Sequence, residues 1–296
     1  MKGGQYQSDK TKTYFKYGMP ICVGLLLSYA LNSADVYLIA ALMSEAAAGE
    51  YNAGYNLANR SLEILFIWVS MAVTPMVVTA LERDGESRSR DIMRGYGSTL
   101  MWIAFPAATG IALVSKDAGF ILGEGVRDGA VSVMPWIALA GVINGLMTYY
   151  IQRAFMLSGK TGNFVWALVP PVILNIGLNV VLIPRYGLMG AVWSTIICYA
   201  LAFVLATILA RRTYPLPLPM KSGLQIALCC GIMAAAVLAL PVPESWFGVI
   251  SLLVKATVGG VVYLGASLAL NAADCRRVLR EILGRLNRRP LPEVAE

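Results

Sequence analysis

Eight stretches of the chain, 18–42, 53–81, 95–115, 132–152, 164–183, 188–210, 222–241 and 247–271, are long and almost free of charge. A helix needs about 20 apolar residues to cross the hydrocarbon core of a bilayer. In lipid every backbone N–H and C=O must find a partner inside the protein, which leaves helices and closed barrels as the spanning structures. The runs are continuously apolar instead of alternating, which argues against barrel strands. The predicted fold class is therefore all-α, a polytopic membrane helical bundle of about eight transmembrane helices. Composition agrees: of 296 residues 57% are hydrophobic and 14% charged, with a mean hydropathy of +0.65, against roughly 45–50% and 25% in soluble domains.

The net charge of +7 is distributed as a topology signal, not as a nucleic-acid patch. Cytoplasmic loops of membrane proteins carry an excess of Lys and Arg. With a cytoplasmic N-terminus, nineteen basic residues fall inside (Lys2, Lys10, Lys12, Lys16, Arg83, Arg88, Arg90, Arg94, Arg153, Lys160, Arg211, Arg212, Lys221, Arg276, Arg277, Arg280, Arg285, Arg288, Arg289) and three outside (Lys116, Arg127, Arg185). That split requires an even number of crossings and predicts both termini to be cytoplasmic. The polar segment 1–17 is too long and polar for the start of a cleaved signal peptide. The expected organisation is a cytoplasmic segment 1–17, a six-helix lobe 18–212, a linker 213–221 containing YPLPLP, two further helices 222–271 and a basic tail 272–296. Within the tail, 274–289 places Val278, Leu279, Ile282, Leu283 and Leu286 on one helical stripe edged by arginines. This suits either attraction to anionic lipid at the membrane surface or a plain solvated anchor.

Several chemistries have no residues to carry them. The chain contains no histidine, which removes Ser/His and Cys/His catalysis and the commonest metal ligand. Cys22, Cys198, Cys229, Cys230 and Cys275 show no CxxC spacing and read as small buried hydrophobes. There is no phosphate-loop motif, and Gly141 and Gly145 lie within a span, where glycine serves helix packing. No carboxylate pair suggests a general acid and base. The reading is a non-enzyme without cofactor or metal.

Polar residues inside spans are costly and therefore informative. Asn52, Asn56, Asn59, Arg60 and Glu63 fall within an arc of roughly 100° on the second span. Such a stripe has to face protein or water. Asp35 and Arg60 each stand roughly 10 Å below the outer helix ends, so they can pair across the first hairpin, with Asn32 on the face of Asp35 and Glu63 one turn beyond Arg60. Two roles are open: mutual neutralisation within the bundle, or the lining of a hydrated cavity for a polar or anionic substrate. Asn175 and Asn179 share a face of the fifth span below Pro170 and Pro171, which are expected to break the helix; they suit interhelical hydrogen bonds or cavity lining. Lys255 is expected to snorkel outward, and Arg153 and Lys160 read as topology determinants. From Asn175 to Thr195 the pattern is a hairpin: Pro184 stops one helix, Arg185, Tyr186 and Gly187 turn, and Gly190 and Ala191 let the next helix approach closely.

The stretch Asn175, Asn179, Leu182, Ile183, Pro184, Tyr186, Gly187, Gly190, Ala191, Thr195 resembles a signature of the multidrug/oligosaccharidyl-lipid/polysaccharide exporter superfamily, specifically its polysaccharide and lipid-linked oligosaccharide flippases. Three pieces follow in the family's order: KYGMP (Lys16–Pro20), NSADVY (Asn32–Tyr37) and GEYNAGYNLA (Gly49–Ala58), with Pro75 in its expected place. The resemblance covers residues 14 to 212. It implies the second six-helix lobe of a two-lobed transporter plus its two additional helices. It also implies a lipid-linked glycan substrate in lipopolysaccharide or exopolysaccharide assembly, translocated across a bacterial cytoplasmic (inner) membrane. The first lobe has no counterpart in the chain, so the expected partners, besides membrane lipid, are a separate first lobe, a second copy, or the polysaccharide synthesis machinery. In this reading Arg60 attracts pyrophosphate or acidic sugars, Asn52, Asn56, Asn59 and Glu63 bind hydroxyls, and Asp35 holds Arg60 or couples transport to an ion. A cation-coupled drug antiporter of the same superfamily and a non-transporting partner of a synthase are the alternatives.

Overall fold

The computed structural model describes residues 8–217, 219–241, 248–277 and 280. Among these the chain is helical throughout: α1 Ser8–Leu42, α2 Glu45–Ala118, α3 Glu124–Leu146, α4 Gln152–Leu157, α5 Gly162–Tyr186, α6 Leu188–Thr213, α7 Met220–Leu238 and α8 Gly248–Leu270. A π-helical turn, Met147–Ile151, joins α3 to α4. Seven helical segments are long and apolar enough to cross a membrane. The eighth crossing is inside α2. Its 74 residues would extend about 110 Å if straight. At Gly85, however, the backbone adopts φ 83° and ψ −177°, a conformation that only glycine tolerates well. The Ser89 hydroxyl then donates to the Val77 carbonyl at 3.4 Å, whereas twelve residues of straight helix would hold the two about 18 Å apart. The helix folds back on itself at the basic segment 83–94, and both arms pack on the same α3–α4 wall: Tyr96 donates to the Tyr149 carbonyl at 2.8 Å, and Phe66 stacks on the Tyr149 ring with centroids 5.5 Å apart.

Prolines interrupt these helices less than expected. Pro170 and Pro171 lie inside a continuous α5, and α5 also runs through Pro184 to Tyr186. Each proline costs one backbone N–H, and neighbouring helices in a bundle absorb that loss without the helix ending. The α5–α6 turn is made by Gly187 alone, at φ 58°, with its N–H donating to the Ile183 carbonyl at 2.8 Å. Gly190 fits as expected: a Cβ there would stand 2.3 Å from the Leu182 carbonyl oxygen, so only glycine permits this approach.

Three apolar clusters form among the described residues, the smallest from Leu31, Ala140, Cys198 and Tyr199. The largest unites α1 to α6, with Tyr51, Phe66, Tyr150, Phe155 and Ile137 at its centre. The second is built from Ile226, Cys229, Cys230, Met233 and Tyr263 against Met101, Trp102 and Phe105, seating α7 and α8 on the second arm of α2. Lys255 does not snorkel. Its ammonium pairs with the Asp117 carboxylate at 2.7 Å, and Ser251 donates to the other oxygen at 2.5 Å, tying α8 to the end of α2. Cys198, Cys229 and Cys230 are buried as expected, whereas Cys22 is exposed. In the linker, Tyr214 is buried beneath the Arg90 guanidinium and Tyr150 donates to the Pro217 carbonyl at 2.7 Å. Arg276 donates to the Leu268 and Ala269 carbonyls at 2.6 and 2.8 Å, a side-chain cap for the end of α8. Most of the amphipathic stripe expected over 274–289 lies outside the described residues.

Candidate functional site

The nine predicted site residues fall into two groups, six on an open cavity and three in a buried cluster behind it. The cavity, of about 530 Å³, lies between α1, the first arm of α2, and the α3 to π-turn segment. Asn32, Asn52, Asn56, Asn59, Arg60 and Glu63 all line it. The stripe on α2 thus faces the cavity, as its narrow arc required. Sequence reasoning missed the opposite wall: Asn144, Thr148 and Tyr149 complete the polar lining, with Ser28, Tyr29 and Ser33 from α1. Asn144, at the end of α3, and Thr148, in the π-helical turn, stand four residues apart and the Thr148 hydroxyl donates to Asn144 at 3.5 Å; that spacing is the same signal that singles out Asn175 and Asn179.

Arg60 does not pair with Asp35. Its guanidinium donates to Glu63 at 2.6 Å, one turn along the same helix, with side-chain exposures of 67% and 33%. The height of two residues in adjacent helices does not fix their azimuth, and Asp35 points to the other side of α1. An exposed pair of this kind contributes about 0–1 kcal/mol, so an anionic ligand can compete for the arginine. The Asn56 amide donates to the Asn52 backbone and side-chain oxygens at 2.9 and 2.7 Å.

Asp35 is fully buried and accepts four hydrogen bonds: from Tyr51 at 3.0 Å, from Asn175 at 3.1 Å, from Asn179 at 2.6 Å, and from the Thr195 hydroxyl. Asn175 also donates to the Ser194 hydroxyl at 3.2 Å. No cation neutralises the carboxylate among the described residues. The oxygens of both carboxamides, Asn175 Oδ1 and Asn179 Oδ1, are buried without a hydrogen-bond partner. The cluster therefore holds a carboxylate, two carboxamides and hydroxyls buried between α1, α2, α5 and α6, a set of hard oxygen donors and exchangeable protons. Three tyrosines connect it to the cavity. Tyr51 stacks on Tyr55 with centroids 6.0 Å apart, the Tyr55 and Tyr199 hydroxyls share a hydrogen bond at 3.1 Å, and Tyr199 donates to Asn32.

A family model described as "Polysaccharide biosynthesis protein" matches residues 4–124. Among curated proteins, the chain is 25% identical over 195 residues to the "Probable low-salt glycan biosynthesis flippase Agl15" of Haloferax volcanii, covering 65% of this chain and 40% of that one. It is also 25% identical over 258 residues to the "Probable flippase AglR" of the same organism, covering 84% and 53% respectively. The chain therefore spans about half the length of these relatives. No solved structure gives a significant match.

Proposed function

We propose, from the premise that this chain belongs to the polysaccharide and lipid-linked oligosaccharide flippase family, that it forms one wall of a cavity through which a lipid-linked glycan crosses a membrane. The observation that carries this reading is the 530 Å³ cavity, within the roughly 300–1,000 Å³ range of ligand sites. It is lined by asparagine amides and by serine, threonine and tyrosine hydroxyls at membrane depth. Amides and hydroxyls supply donors and acceptors in pairs, which suits sugar hydroxyls, and Arg60 supplies a cation for phosphate or acidic sugars.

Asp35 takes the role of coupling group, because a buried carboxylate with no cationic partner among the described residues leaves its negative charge available to a transported cation. The Tyr51–Tyr55–Tyr199 relay connects that event to the cavity wall. Alternating access needs two bundles around a shared site, and Arg60 at 67% exposure faces the side where a second bundle would stand. A separate first lobe, a second copy or a glycan-synthesis partner would complete it. We read the membrane as the cytoplasmic one; the narrower reading of a bacterial inner membrane, with lipopolysaccharide or exopolysaccharide as product, rests on the family resemblance, while both relatives named above come from Haloferax.

The test is glycan export in cells that also express the complementary lobe. Arg60→Ala and Asp35→Asn should each reduce export at least tenfold, with protein levels unchanged. Normal export in both variants sinks the proposal. The buried carboxylate also favours one second reading, a cation-coupled antiporter of small cationic compounds. Proton- or sodium-dependent dye efflux that is lost in Asp35→Asn, with glycan export intact, would select it.

A further inference from the structure

One helical turn beyond the cavity, past the stacked rings of Phe66 and Tyr149, stands an arginine that topology alone does not explain. Arg153 begins four residues after Tyr149, across the π-helical turn, and Ser70 lies four residues after Phe66. An arginine near the end of a membrane helix ordinarily extends its head group to the interface. The Arg153 guanidinium instead reaches across to α2, donating to the buried Ser70 hydroxyl at 2.7 Å and approaching the Met156 sulfur at 3.5 Å. Its Nε is buried and has no hydrogen-bond partner. Among the described residues no carboxylate lies within ion-pair distance of it. A half-buried guanidinium whose Nε is buried without a partner, and whose neighbours Ser70, Met156 and Tyr96 are all neutral, calls for an anion.

The space beside it has the complementary shape for an amphiphile. A groove of about 340 Å³ runs from Arg153 along Val73, Val77, Leu81 and Met156. A second hollow, opened on α2 around Pro75, also ends on Arg153 and Ser70. An anion bound here therefore carries hydrocarbon. We propose that Arg153 and Ser70 hold the phosphate or pyrophosphate of the carrier lipid while its chain lies in the Val73–Met156 groove. This is a loading site distinct from the Arg60 cavity and separated from it by the Phe66–Tyr149 ring pair. The inference rests on the flippase reading for the identity of the lipid, and the two arginines then mark successive phosphate positions along one wall.

The experiment is direct binding to the full chain in phosphatidylcholine nanodiscs, with farnesyl pyrophosphate as the probe and farnesol as the uncharged control. The expected result is saturable binding of the pyrophosphate at least tenfold tighter than farnesol. Arg153→Gln should weaken it at least tenfold and Val77→Trp, which fills the groove, should do the same, while Arg211→Gln, at the exposed end of α6, leaves it within twofold. Thermal unfolding of each variant checks that it is folded, and Ser70→Ala, which keeps the arginine, should give an intermediate loss. Four results overturn the inference: no preference over farnesol, unchanged binding in Arg153→Gln, a loss in Arg211→Gln as large as that in Arg153→Gln, or full displacement by equimolar phosphatidylglycerol, which would mark a resident phospholipid site. None of these touches the export assay, so the loading site and the flippase reading fail separately.

Discussion

At the scale of single residues the weight of the structure falls on Asp35. Removing its charge and removing its acceptors are different perturbations. Asp35→Asn keeps a carbonyl oxygen in place for Tyr51 and Thr195, although its amide then confronts the donors of Asn175 and Asn179. Asp35→Leu removes the acceptor of all four; Thr195 keeps the Ala191 carbonyl, Asn175 keeps Ser194 and Tyr51 can turn to Thr195, while each donor left unsatisfied, the Asn179 amide first, costs about 1–3 kcal/mol. The expected order of thermal stability in detergent is therefore wild type, then Asp35→Asn, then Asp35→Leu. Tyr51→Phe removes one donor of four and should cost about 1 kcal/mol, near the upper part of what interhelical hydrogen bonds contribute in membranes. Equal stability of Asp35→Leu and wild type would show that the cluster is not formed. The cluster was only half legible in the sequence. A polar residue in a span announces that it needs a partner, and Asp35, Asn175 and Asn179 all did so. Which partner it meets depends on helix azimuth, and that arises from the packing of α1 against α5 and α6, some 140 to 160 residues along the chain. Arg60, by contrast, had Glu63 within one turn of its own helix, and local geometry prevailed.

Among the elements, α2 is the one whose meaning changed most. Charge density between 83 and 94 suggests a loop, yet the arginines, Glu86 and Met93 are good helix formers and the chain stays helical except at Gly85. Pro184 likewise does not end α5, which continues to Tyr186. Eight crossings were readable because length and hydropathy suffice to set them; the helix ends were not, because capping and packing decide those. The fold-back predicts a specific proximity. In a background lacking the native cysteines, Val77→Cys with Ser89→Cys should cross-link efficiently with a short bismaleimide, whereas Val77→Cys with Met101→Cys, on the far part of the second arm, should not. A continuous straight helix would leave the first pair about 18 Å apart and unlinked. Gly85→Ala should weaken the first cross-link while lowering stability by about 1–3 kcal/mol, the cost of forcing a side chain into that backbone region.

For the whole molecule, the question is which of its faces meets lipid and which meets water. The α5 face bearing Ile173, Ile176 and Val180 is exposed and purely apolar, while the cavity face carries Arg60 and the asparagines. A bilayer tolerates the first and rejects the second, so the cavity must be wetted or covered by another bundle. Thiol chemistry separates these environments, since a maleimide reacts with the thiolate, which forms in water and not in hydrocarbon. In native membranes Asn56→Cys should label with a water-soluble, membrane-impermeant maleimide, from one side only, and Ile173→Cys should stay unlabelled despite being 67% exposed. Adding the complementary lobe should leave Asn56→Cys reactive if the cavity is a conduit, with the reactive side changing as substrate is supplied. Complete protection, irrespective of substrate, would mean that the stripe is an interface between subunits and not a path, and the glycan would then have to cross elsewhere.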